Sequence, residues 1–115
     1  MKNEKNQVIE GDVTRLIERL EAFEERAGVR LEALFAHFDS YGYLRVNGEM
    51  HPRGGTTIEQ DISVQIGVYD SAGRLLAVDV TTVSADGFFG FQAFSNTTTL
   101  PLPRFSKIRV YPKAT

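Results

Sequence analysis

Two histidines, His37 and His51, are the only imidazoles in the chain, and cysteine is absent. They are the first candidates for transition-metal ligation or proton transfer near neutral pH. Glu49 stands two residues before His51, so an extended strand puts both on one face, as half of a metal or acid–base site. If residues 39–43 turn tightly around Tyr41, residue 37 pairs with 45 and residue 51 with 31. The histidines then lie three cross-strand pairs apart, and a shared metal would need another register or another strand. Asp61, Asp79 and Asp86 offer carboxylates, but glycoside chemistry needs two of them about 5 or 9 Å apart in space. Asp79 alternates with Val78 and Val80, which directs it to solvent. Ser40, Ser71, Ser84 and Ser95 lack the Gly-x-Ser-x-Gly elbow. Gly54-Gly55 leads to neither a dinucleotide fingerprint nor a Walker lysine. With no cysteine, disulfides, thiolate catalysis and cysteine-held metals are excluded. No catalytic, cofactor-binding or metal-binding residue is expected.

Binding chemistry is better represented. Lys107, Arg109, Tyr111 and Lys113 alternate, so a strand there carries three bases and an aromatic ring on one face. Such a row can touch phosphates. However, residues 54–103 hold five acids and only Arg74 as a base, so cross-strand charge pairing accounts for the same pattern. The 13 basic and 15 acidic residues leave a net charge of -2, and a nucleic-acid partner is disfavoured. Phe88, Phe89, Phe91, Phe94 and Phe105 crowd the last third of the chain. Adjacent phenylalanines on a strand cannot all face one core. Either two layers cover them, or some line an apolar groove.

These residues need elements to position them. Val13, Leu16, Ile17, Leu20, Phe23 and Ala27 recur at spacings of three and four, which predicts an amphipathic helix over 12–27 behind a frayed lead-in of residues 1–9. Asp12 is the expected N-cap and Gly28 the C-terminal stop. After Gly28 the period changes to two. Strands are expected around 29–38 and 43–51, over 62–69 and 75–81, over the aromatic segment 88–94, and over 107–113. Asp39–Gly42, Asp70–Gly73 and Asp86-Gly87 are turn signals. Segment 95–106, with Pro101 and Pro103, suits an edge or a crossing loop. Strand 62–69 alternates most cleanly and is expected to be central, with Ile62, Val64, Ile66 and Val68 buried together. These are half-buried antiparallel strands rather than the continuous apolar runs of a parallel sheet. The fold class is mainly β: one domain over 1–115, with helix 12–27 and an antiparallel sandwich or partly open barrel over 29–113.

Val46-Asn47-Gly48, then Val68-Tyr69-Asp70-Ser71-Ala72-Gly73, then Phe89–Phe94 resemble the small bacterial immunoglobulin-like sandwich domains of the FxLYD type. The resemblance spans residues 44–95, and the N-terminal helix departs from it. It implies an immunoglobulin-like sandwich used as a binding or structural module, often on cell envelopes. It transfers no catalytic residue.

The expected function is a noncatalytic protein-interaction or assembly module whose partner is another protein or a second copy of the chain, as a homodimer. The interaction surface is expected at Leu16, Leu20, Phe23, Phe88, Phe94 and Tyr111. The competing expectation is a small apolar ligand in a pocket lined by Phe89, Phe91 and tyrosines, with cofactor-independent catalysis as its extension. No cofactor is expected. No apolar run reaches the roughly 20 residues of a membrane span. No secretory apolar segment follows the N-terminus, so a cytoplasmic location is expected. Asn96-Thr97-Thr98 matches a glycosylation sequon, which a secretory route would have to use.

Overall fold

The computed structural model describes residues 10–100 and 104–115. In chain order the elements are β1 (Gly11–Asp12), a single 3₁₀ turn (Thr14–Leu16), β2 (Ile17–Arg19), α1 (Glu21–Ala27), β3 (Val29–Phe38), β4 (Tyr43–Pro52), β5 (Ile62–Tyr69), β6 (Leu75–Val83), β7 (Gln92–Thr99) and β8 (Lys107–Ala114). They form a sandwich of two four-stranded sheets, ordered β1-β3-β4-β7 and β2-β8-β5-β6. Every pairing is antiparallel except β2 with β8.

The same turn is written twice. In Asp39–Gly42 the Asp39 carboxylate accepts from the amides of Tyr41 and Tyr43. In Asp70–Gly73 the Asp70 carboxylate accepts from Ala72 and Arg74, both at 2.9 Å. An aspartate that satisfies two turn amides replaces the ladder bonds the bend gives up. These turns close the β3–β4 and β5–β6 hairpins, one per sheet.

Burial follows the pleat. Leu44, Val46 and Met50 of β4 face Ile62, Val64, Ile66 and Val68 of β5 across the core, all essentially inaccessible. Strand β5 lies between β8 and β6, the central place its alternation predicts. The β3–β4 ladder keeps its face through a bulge. Glu32 pairs with Glu49 and Phe35 with Asn47, which leaves Ala33 and Leu34 opposite Gly48 alone. Ala33 takes a positive φ of 55°. The extra residue restores the inward–outward phase for Ala36 and Phe38, both buried. Position 48 has no room for a side chain, since a Cβ there would lie 2.6 Å from Phe94 and 2.7 Å from Leu34.

Several expectations need correcting. The helix covers only 21–27, not 12–27. Its expected first half is drawn into both sheets. The Val13 amide donates to the Ala36 carbonyl, and Thr14 Oγ1 accepts from the Ala36 amide. Residues 17–19 pair along the outer edge of β8. Covering two exposed edges outweighs the small helical propensity of this stretch. Asp12 is not an N-cap: Val13 holds that place at the 3₁₀ turn, and the Asp12 carboxylate accepts from the Thr14 amide at 2.9 Å in a local turn. Gly28 ends α1 as expected, with φ 76° and its amide bonded to the carbonyls of Glu24 and Glu25. The aromatic strand expected over 88–94 lies instead at 92–99, at the edge of its sheet, so the first part of 95–106 takes the edge place and not the crossing loop. His51 pairs with Arg30 rather than residue 31, because the bulge shifts the register by one; His37 does pair with Arg45. The lead-in over 1–9 and the prolines at 101 and 103 fall outside the described residues.

Candidate functional site

Strand β6 is built inside out. Its partner register places Ala77, Asp79, Thr81 and Val83 opposite Val68, Ile66, Val64 and Ile62, on the inward face. Asp79 therefore points inward, not to solvent as its apolar neighbours suggest. The opposing edge strand β7 turns Asn96 and Thr98 inward, both buried. Thr98 Oγ1 lies within hydrogen-bond distance of both Asp79 Oδ2, at 3.2 Å, and Asn96 Oδ1, at 2.9 Å. Asp79 Oδ1 also accepts from the Val80 amide at 2.8 Å. One carboxylate thus links the two sheets and occupies an amide of the β6 backbone, a device that blunts an edge strand. The sequon asparagine belongs to this seam and is too buried to present its amide for glycosylation.

The consequence appears outside. Leu75, Val78 and Val80 are exposed at 52%, 58% and 44%. The Tyr69 ring lies across Gly67, where an added Cβ would come 3.2 Å from the ring and 3.5 Å from Leu75. The Arg109 guanidinium sits 4.8 Å from the centre of the same ring, a cation–π contact. Arg109 Nε donates to Glu18 Oε1 at 2.6 Å, and Lys107 stands 3.9 Å from the same oxygen. The Arg109 hydrogen bond holds the Glu18 carboxyl below the ordinary carboxylate range, with the charge of Lys107 adding to it. Three bands therefore run across the outer face of this sheet: apolar β6, small and aromatic β5, and basic β8.

Among the expected surface residues, Phe23 and Tyr111 meet here. Their ring centres are 4.9 Å apart and tilted by 57°. Phe23 is 42% exposed. Leu16 packs partly buried against the core, and Leu20 is half-buried at the N-cap of α1. Phe88 and Phe94 are core residues, at 5% and 7% exposure, and leave the proposed surface. Phe94 turns inward because it pairs with Gly48, which shares the core face of β4 with Val46 and Met50. The exposed valines of β6 were missed because alternation alone does not say which face is wet. The signal that separates them is the matching polar alternation Asn96, Thr98 on the facing edge strand.

No known protein family, curated protein or solved structure matches this chain.

The outer face of the other sheet is more polar. His51 Nε2 lies 3.0 Å from Glu49 Oε1, so the two share one face as their spacing predicts, and the His51 ring stacks on exposed Phe91 at 5.1 Å. His37 lies at the far end of the ladder. Among the described residues no three His, Asp or Glu side chains gather as metal ligands. A shallow groove of about 650 Å³ runs beside Arg45, Asn47 and Glu49 of β4 and Ser95 and Thr97 of β7. Within it Ser95 Oγ donates to Asn47 Oδ1 at 2.7 Å. No described helix is long and apolar enough to cross a membrane.

Proposed function

We propose that this protein is a noncatalytic interaction module that binds a protein partner through the outer face of the β2-β8-β5-β6 sheet. The observation that carries the reading is the outward row Leu75, Val78 and Val80. Three large apolar side chains on an edge strand, with Gly67 and Tyr69 of β5 between them and the basic band of β8, resemble the apolar centre and charged rim of a binding patch. Solvated edge strands ordinarily carry charge on that face.

The connectivity supports an immunoglobulin-like assignment of the sandwich. The order β3-β4-β7 corresponds to strands A, B and E of that fold, and β8-β5-β6 to F, C and C′. Strand β2 takes the place beside F that the last immunoglobulin strand would fill, but runs parallel. Such sandwiches commonly serve as recognition scaffolds, which is an analogy of fold and not of site.

A photo-crosslinking residue placed at 78 tests the proposal, with one at 32, on the opposite outer face, as the control. In native extract, position 78 should give discrete adducts that unlabelled protein competes away and the Val78→Lys/Val80→Lys variant does not. An adduct of twice the chain mass would identify the partner as a second copy. Equal labelling from positions 78 and 32, or adducts that resist competition, would contradict the proposal.

A further inference from the structure

Two aromatic–cation pairs converge beside α1. On the helix, Phe23, Arg26 and Ala27 stand at i, i+3 and i+4, which places them on one face. On β8, Tyr111 and Lys113 stand at i and i+2, on the outer face of the strand. All five line one cleft of about 320 Å³, completed by Pro112, Ala114 and the side chain of Gln65. The walls are largely apolar, with the tilted Phe23–Tyr111 pair as one side. Arg26 and Lys113 form no ion pair among the described residues, a state they share with Arg15, Arg45 and Arg53, but of these only Arg26 and Lys113 line this cleft. Two unneutralised cations beside a cleft raise the local positive potential and favour an anion there. The Gln65 amide nitrogen donates to Ser63 Oγ, which fixes the side chain and leaves its carbonyl as an acceptor.

The geometry points to a binding site for a small aromatic carboxylate, separate from the apolar row of β6. The volume sits at the lower bound of ligand pockets, which suits one ring with a short acidic arm and excludes a nucleotide. The ring would pack against Phe23 and Tyr111, where offset and edge contacts are available. The carboxylate would take charge-assisted hydrogen bonds from Arg26 and Lys113.

Phenylacetate, its neutral analogue phenylacetamide, and acetate are the probes, titrated to about 10 mM, the weak end of useful affinity, while backbone amide resonances are followed. Phenylacetate should bind saturably, with shifts confined to residues 22–28, 65 and 110–114. Phenylacetamide should bind at least about tenfold more weakly, the worth of one charge-assisted hydrogen bond. Acetate, lacking the ring, should not saturate. The exposed double substitution Arg26→Gln/Lys113→Gln should keep the spectrum of the folded protein and lose phenylacetate affinity by at least the same factor. Absence of saturable phenylacetate binding would overturn the site. So would equal affinity for the amide, unchanged affinity in the double variant, or shifts centred elsewhere.

Discussion

At the scale of single residues, two carboxylates decide more than their neighbours. Glu24 is fully buried, yet it receives two bonds from Arg19, at 2.8 and 3.2 Å, and one from the Leu31 amide at 3.1 Å. From within α1 it ties the end of β2 to the start of β3. Arg19 is about half exposed, so water takes over its guanidinium when the carboxylate charge is removed, and the loss is that of the charge-assisted hydrogen bonds. Glu24→Gln should therefore cost about 1.5 kcal/mol in urea denaturation, even though the shape is kept. Asp79 acts at the opposite side of the molecule. Asp79→Ala frees the Val80 amide and leaves Thr98 with Asn96 alone, at a cost of about 1 kcal/mol. Because the unblocked amide lies on the apolar strand β6, the variant should also associate with itself. Light scattering over a concentration series reads that change, and a variant as monodisperse as the parent would deny Asp79 its edge-blocking role. Ala33 carries a smaller strain. At φ 55°, replacement by glycine should raise stability by about 1 kcal/mol, because glycine meets no Cβ penalty there.

At the scale of elements, the hairpins were legible and the N-terminal segment was not. The Asp-Ser-x-Gly turns and the alternation of Ile62–Val68 are local signals, and the structure carries both. Ile66, fully buried at the middle of β5, should lose about 2–5 kcal/mol on truncation to alanine. The Asp70 turn adds a pH dependence. The amide of Arg74 first, and then that of Ala72, hold the Asp70 carboxyl below its ordinary value. A depressed folded value means that the stabilisation is complete above the unfolded value and is lost as pH falls through the folded one. Asp70→Ala should therefore melt lower than the parent at neutral pH. The gap should narrow as pH falls below about 4, the unfolded carboxylate value. A gap that stays constant down to pH 2 would remove the turn from the account. Segment 12–20 reads as helix because Val13, Leu16, Leu20 and Ile17 keep a helical spacing. The competing demand is not local. The edges of β3 and β8 lie far off in sequence, and only the folded sheets reveal that they need covering. The displaced strand 92–99 follows similar logic. Its inward residues are Asn96 and Thr98, so hydrophobic alternation was absent where the strand runs and present in Phe89 and Phe91, where it does not.

At the scale of the whole molecule, the sandwich is closed by packing along one flank and by polar bonds along the other. On the β3–β8 flank, α1 and the crossing segment from β1 to β2 seal the core, with Val13 fully buried. On the β6–β7 flank the seam is Asp79, Thr98 and Asn96. A polar seam inward forces the apolar side chains of β6 outward, so the exposed row is a consequence of how this flank closes. The same alternation that joins the sheets leaves the apolar row of β6 on the outer face, the surface on which the proposed function rests. Glu18, Lys107 and Arg109 form a charged cluster at the β8 side of that face, which under the proposed function would steer a partner more than bind it. Carbene footprinting of the purified protein against the protein in native extract tests this directly. Leu75, Val78 and Val80 should label strongly when purified and lose most of that labelling in extract, while Phe35 and Tyr43 on the other outer face label alike in both. Equal labelling of the β6 row in the two conditions would contradict its role as an interaction surface.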